Sequence, residues 1–423
     1  MKTNNKYILK IITVTLGIFF CIYCILYNGL SYDQIFHIEN GERRLKYLFT
    51  LGKYDYYDIL HLRYYPGLYD TISALLASAF PRNFYYESYY IINFLTGLLG
   101  VFGLKKVIKS FFGTTTSKIF FIISILSPIY FGHLALNPKD TIIATANFWV
   151  LYYVIKYLKS ESVSRRKDIS IKIGLFVGLG TGVRVLFLGT LIPIIFFLFV
   201  EIFFIKRISK KVNFKAFLFH IFLIIFIAYT LLIICWPNTH NNIIWDPFVV
   251  FFQSLNDSSQ GVQLSYFVGK FYQTSNTPWN YIPLNLFYKM PVFYLIIFLL
   301  GVTHLREINN CVYKNSNFFY YSYISLFFLC TPVLIAVFLN LKIHDGLRYF
   351  VYLIPLYNII PSIFLYYLYK EFGSLKNKIV SIILLPFLIV FMIKFVLISP
   401  YHYSYLNLFN DFFLEKNFFE NDY

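Results

Sequence analysis

Apolar runs long enough to cross a bilayer alternate with short basic stretches along almost the whole chain. Such runs predict membrane-spanning helices, because a backbone in hydrocarbon must satisfy its own hydrogen bonds. The first span falls at about Tyr7–Leu30, behind Lys2, Lys6 and Lys10, and reads as an uncleaved signal anchor. The next apolar stretch, Gly67–Phe80, would cover only about 21 Å at helical rise, short of the ~30 Å hydrocarbon core. Further spans are predicted at about Tyr89–Leu104, Ile119–Leu134, Thr141–Leu158, Ile171–Phe187, Leu188–Ile205, Phe217–Trp236, Leu284–Val302, Phe318–Leu339, Tyr349–Tyr369 and Ile379–Ile398.

Charge decides the status of Gly67–Phe80. With that segment at the surface, the basic clusters Lys105–Lys109, Lys156–Lys172, Lys206–Lys215, Arg306–Lys314 and Lys370–Lys378 all fall inside. With it spanning, all of them would be outside. The predicted architecture is therefore an all-α polytopic membrane protein with about 11 spans and surface helices in its first outer loop. It forms a single domain over residues 1–423, with outer loops at about 31–88 and 237–283 and a cytoplasmic N-terminus.

The chain is 58% hydrophobic and carries a net charge of +17. That charge is spread over short loops rather than gathered on one soluble face, which argues against nucleic-acid binding. The 39 Tyr and 50 Phe fit interfacial belts and lipid-facing helices. Cys21 and Cys24 form a CxxC inside an apolar helix, where packing is the expected role, and no disulfide framework is indicated. No set of His, Cys, Asp or Glu has tight ligand spacing, so neither a metal nor another cofactor is implied.

By the same parity, four polar clusters open on one side. The first begins at Ser31-Tyr32-Asp33 and continues to His37, His61, Arg63, Tyr64 and Tyr65. The others are His133–Asp140, the 237–283 loop with Trp279 and Tyr281, and His344–Arg348 with Asp345. Each also has a plain structural reading. Asn137-Pro138-Lys139-Asp140 has the make-up of a helix start, with Asn capping and an acid at N3. The His344–Arg348 stretch fits a turn with snorkelling charges, and Trp279 and Tyr281 fit interfacial anchors. Glu39, Glu42, Arg43 and Arg44 read as the solvated face of a surface helix. Arg184, near the outer end of its span, is costly in a membrane and is a functional hypothesis in its own right.

An acid just after the first span, surface helices in the first loop and an Asn-Pro-Lys-Asp helix start resemble GT-C membrane glycosyltransferases. The bacterial members of glycosyltransferase family 39, related to protein O-mannosyltransferases and aminoarabinose transferases, are the group the chain resembles. Gly182-Val183-Arg184, Trp236-Pro237, Pro278–Pro283, Asp345–Arg348 and Pro400–Asn407 extend the resemblance along nearly the whole chain. It implies transfer of a sugar from a polyprenyl-phosphate donor to a glycan, lipid or protein acceptor at the outer face of a bacterial inner membrane. Asp33 matches the family's first-loop base and Asp140 its second functional acid. The chain departs from the family at Gln34, where a second acid is common, and at Tyr349, where His is common.

The chemistry is consistent with one carboxylate. A phosphate leaves as an anion and needs no general acid, unlike the alkoxide of glycoside hydrolysis. One base against the acceptor hydroxyl is enough for inversion, and cations stabilise the charge that develops on the phosphate. The expected phosphate-binding cations are Arg348, Arg63 and Lys139, with His37, His61, Tyr65, Trp279, Tyr281 and Asp345 as substrate contacts. Two other classes compete: a polyprenyl-glycan polymerase or ligase, and a lipid-linked-glycan transporter or flippase. The 237–283 loop has no arginine, against the first. Polar groups gather at one face rather than at mid-bilayer, against the second.

Overall fold

The computed structural model describes residues 2–413, except 55, 57, 58, 256–263, 340 and 342. Helix α1 (Lys2–Tyr27) is followed by α2 (Tyr32–Phe49), whose Ser31 cap accepts a hydrogen bond from the Gln34 amide. The cap satisfies one orphan amide and sets Asp33 in the first turn, at the positive end of the helix dipole. A 3-10 turn (Leu60–Tyr64) leads to α3 (Leu68–Ala77). At ten residues α3 is too short to span, as its length in sequence implies, and it packs against α2, α4 (Tyr85–Ile125) and α7 (Val163–Val183), with α5 (Pro128–Leu136) and α6 (Asp140–Lys159) between the last two in sequence. Gly113, at φ 86°, breaks α4 just after its lysine cluster.

The centre of the bundle is α6, which packs on both α4 and α7. Its apolar window is 83% buried. The chain continues through the short α8 (Phe187–Thr190) and α9 (Ile192–Val200) to α10 (Phe214–Ile234), which lies on α7. Only 11% of the α10 window is buried, as a lipid-facing helix requires. Helix α11 (Asp246–Leu255) precedes an antiparallel hairpin, β1 (Leu264–Phe267) and β2 (Lys270–Gln273), joined by Val268 and Gly269, both at positive φ. This hairpin departs from the all-α expectation. Next come α12 (Tyr281–Lys289), α13 (Val292–Thr303), α14 (Leu305–Ile308), α15 (Phe318–Phe338), α16 (Leu353–Tyr357), α17 (Ile359–Lys370), α18 (Leu375–Leu397) and α19 (Leu408–Phe413).

Among the described residues, five helices are long and apolar enough to cross a membrane, or six if α12 and α13, bent by 111°, count as one span. The molecule is thus an integral membrane protein, but length and composition do not give the expected 11 spans. Three of the runs that fall short are charged or divided, and α4 takes in parts of two expected spans. Helix α7 carries Arg165, Arg166, Lys167 and Asp168 in its first turns, the Leu188–Ile205 run is divided between α8 and α9, and Asn358 divides α16 from α17.

Two glycines bring α2 into register with its neighbours. A Cβ on Gly41 would lie 2.2 Å from the Asp70 carbonyl oxygen, so α2 and α3 touch backbone to backbone. Gly67 has φ +72°, and a Cβ there would stand 2.7 Å from the Arg44 guanidinium.

Candidate active site

Helix α2 presents Asp33 to residues from far along the chain. Lys139 Nζ donates to Asp33 Oδ2 at 2.9 Å, and Arg348 Nη2 bonds the same oxygen. Among the described residues Oδ1 of Asp33 has no partner, and the side chain is 26% exposed. Burial pushes the Asp33 carboxyl up, but the Lys139 and Arg348 charges outweigh it and hold it well below the usual carboxylate range.

Arg348 is the hub of the acids. Its Nε donates to Asp140 at 3.2 Å and its Nη1 to Asp345 at 3.3 Å. Asp140 is buried behind it and takes a further bond from Asn137 Nδ2 at 3.0 Å. The Asn137 carbonyl oxygen accepts from the amides of Lys139 and Asp140, at 3.1 and 2.8 Å. The helix-start reading and the site reading are therefore both satisfied: the cap of α6 aims Lys139 and Asp140 at the cluster.

The Arg348 turn is itself braced. Asp345 has φ 56° and Gly346 φ 62°. The Gly346 amide donates to the Tyr281 hydroxyl at 2.9 Å, and Thr277 Oγ1 donates to the Ile343 carbonyl at 3.0 Å. Tyr281, 2% exposed, thus supports the site from behind, whereas Trp279 is 73% exposed.

A second half of the site is aromatic. Lys139 Nζ lies 5.6 Å from the Tyr65 ring centre, and Arg184 lies 5.6 Å from Tyr65 and 5.4 Å from Tyr349. Tyr349 Oη meets His344 Nε2 at 2.8 Å, and His344 Nδ1 meets Asp345 at 2.8 Å. The contacts close a ring, Asp33–Lys139–Tyr65–Arg184–Tyr349–His344–Asp345–Arg348, built from α2, the Pro66 turn, the ends of α6 and α7, and the turn before α16. Tyr349, seen in sequence only as a departure from the family pattern, and His344 complete it. Arg184 was legible as an arginine closing an apolar helix.

Three expectations are not members of the ring. His37 is buried, with Nδ1 2.9 Å from Asp70 in a network with Asn40, and its imidazole packs edge-on against the Tyr65 ring at 6.3 Å. Arg63 pairs with Gln253 at 3.3 Å and lies over Tyr64, apart from the Asp33 cluster. The side chain of His61 lies outside the described residues. One reading is corrected: Arg44 is 0% exposed rather than solvated. Its guanidinium donates to the carbonyls of Pro66, Tyr65 (2.8 Å), Cys235 (2.6 Å) and Leu62 (3.2 Å), and to Asn40 Oδ1 (3.0 Å). It could not stay in solvent because the first loop folds back over it, leaving those carbonyls without water. Glu42 likewise accepts from the Tyr85 hydroxyl at 2.5 Å. Among the described residues no three His, Cys, Asp or Glu side chains are grouped to hold a metal ion.

The architecture defined by this bundle is GT-C-like, as the sequence resemblance implies. The chain matches the solved structure of ArnT from Cupriavidus metallidurans in the apo state, with a TM-score of 0.59, 13% identity and coverage of 86% of this chain and 60% of that one. It also matches ArnT from Cupriavidus metallidurans bound to undecaprenyl phosphate, with a TM-score of 0.58, 12% identity and coverage of 85% and 60%. The chain therefore spans about three fifths of the length of those structures. No family model matches the sequence, and no curated protein does.

Proposed function

We propose that this protein transfers a sugar from a polyprenyl-phosphate carrier to an acceptor hydroxyl at the outer face of a bacterial inner membrane, with inversion. The observation that carries the reading is Asp33: a carboxylate held by two cations on Oδ2, with Oδ1 unpartnered among the described residues and the side chain partly exposed. That the ArnT structure of the same fold is bound to undecaprenyl phosphate supports a carrier of this kind.

In the step, the acceptor oxygen forms a bond to the sugar's anomeric carbon while the carbon–oxygen bond to phosphate breaks. The electron pair leaves on the phosphate, and the acceptor's proton passes to Asp33 Oδ1. A carboxylate held so low is a weak base toward a resting alcohol. As the new bond forms, however, the acceptor oxygen becomes oxonium-like and strongly acidic, so Asp33 takes the proton late. Its low pKa also keeps it ionised at every physiological pH. Arg348 and Lys139 fix its position, and Asp140 and Asp345 orient Arg348 in turn.

The test is turnover by the purified protein in bilayer discs with polyprenyl-phosphate sugars, alongside mass spectrometry of envelope glycans with and without the gene. Transfer that depends on Asp33 supports the reading. Unchanged glycans and no turnover with any carrier-linked sugar would remove it.

A further inference from the structure

Every carboxylate in the cluster is paired to Arg348, Lys139 or His344, so Arg348 and Lys139 enter the reaction already engaged with acids. Arg184 is different. Among the described residues no carboxylate pairs with it. It is half-buried, ends α7, and lies between the rings of Tyr65 and Tyr349. Asp140 acts on it through space but is engaged with Arg348 and Asn137. A half-buried guanidinium without a counterion is electrostatically costly, and an arriving anion removes that cost.

We infer that Arg184, framed by the rings of Tyr65 and Tyr349, receives the phosphate of the polyprenyl donor, while Arg348 and Lys139 serve the acids. This rests on the sugar-transfer reading and relocates its phosphate subsite from the cations expected in sequence. Three features support it. A guanidinium offers a planar fork that matches two phosphate oxygens. The flanking rings give a flat apolar wall for the first carbons of the carrier. The charges also converge there: burial pushes the Tyr65 phenol up, but Arg184, Lys139 and Arg348 outweigh it and hold it below the ordinary tyrosine value. The competing explanation is that Arg184 merely complements the negative end of the α7 dipole.

The experiment uses the full-length protein in bilayer discs and two probes, an undecaprenyl phosphate and the matching neutral polyprenol. Arg184→Gln should weaken binding of the phosphate by roughly 30-fold, the scale of one lost charge-assisted contact, and leave polyprenol binding unchanged. Arg184→Lys should recover part of the loss, whereas a dipole role would be restored by lysine without any effect on either probe. A second measurement needs no variant: undecaprenyl phosphate should slow phenylglyoxal modification of Arg184 in the native protein, read by peptide mass spectrometry. Protection of Arg348 with Arg184 still reactive would overturn the assignment. If the native protein bound phosphate and polyprenol equally, the carrier reading itself would fail, a different result from equal phosphate binding by native protein and Arg184→Gln.

Discussion

The two ends of α2 carry two polar networks built from the same residue types, yet with different tasks. At the first turn Asp33 meets Lys139 and Arg348, keeps one oxygen unpartnered among the described residues and stays partly exposed. Beyond it, His37, Asn40 and Arg44 face Asp70 and the folded-back Leu60–Pro66 segment, all four side chains buried. The second network is saturated by carbonyls, an amide and one acid. It locks the first loop and so sets Tyr65 over Lys139 and beside Arg184. Buried polarity alone is therefore no mark of chemistry here. Incomplete pairing together with exposure is.

The largest expected difference follows directly. Asp33→Asn should lower transfer by about 10²–10⁴-fold, the usual range for a lost general base, while the protein stays inserted and folded with a melting temperature lowered by the lost Lys139 and Arg348 pairs. Retained turnover with a confirmed donor would break the contrast. Arg44→Met should do the reverse. Leaving several buried carbonyls unsatisfied costs about 1–3 kcal/mol each, so melting temperature and yield should fall sharply, and any protein that folds should lose activity only through a displaced Tyr65. Normal melting of Arg44→Met would return the residue to the solvated face.

Helical arithmetic explains why one network was legible and the other was not. Asp33 stood out as an acid directly after a span. His37, Asn40, Gly41 and Arg44 lie three and four apart, on one stripe of α2, but a polar stripe looks the same whether it meets water or a second polar surface. Only the glycine inside it pointed to close backbone approach. The β1–β2 hairpin left only a glycine at the turn as a signal, because in Leu264–Phe267 the buried positions are Ser265 and Phe267 while Leu264 is exposed, so apolar character does not alternate with burial. The convergence of Arg348 and Asp33, 315 residues apart, has no local signature at all.

Acid titration sharpens the comparison further. Burial pushes Asp70 up, but His37, Asn40 and Arg44 outweigh it, so Asp70 and Asp33 are both held below the ordinary carboxylate value. A depressed folded-state pKa gives stability that is present above the unfolded value, about 3.9 for Asp, and lost as pH falls through the folded value. Melting temperature should therefore drop as pH falls below about 4. Asp70→Asn should flatten that drop more than Asp33→Asn, since Asp70 is more fully buried. The opposite order would mean that the ring, not the loop lock, holds the fold together.

The smallest effect separates support from contact. Tyr281 meets the Asp345–Gly346 turn through the Gly346 amide and is buried behind it, and its hydroxyl also bonds Ser265 Oγ at 3.0 Å. Tyr281→Phe keeps the packing and removes the hydroxyl from both bonds, about 1 kcal/mol for the one that braces the turn. Its cost should appear as a loss of roughly fivefold in kcat with KM unchanged, because Arg348 is then less firmly held for Asp33 while no substrate contact is removed. Trp279→Ala, at an exposed position two residues earlier, should leave kcat alone. A rise in KM for Tyr281→Phe would place Tyr281 in the substrate pocket, as expected from the sequence.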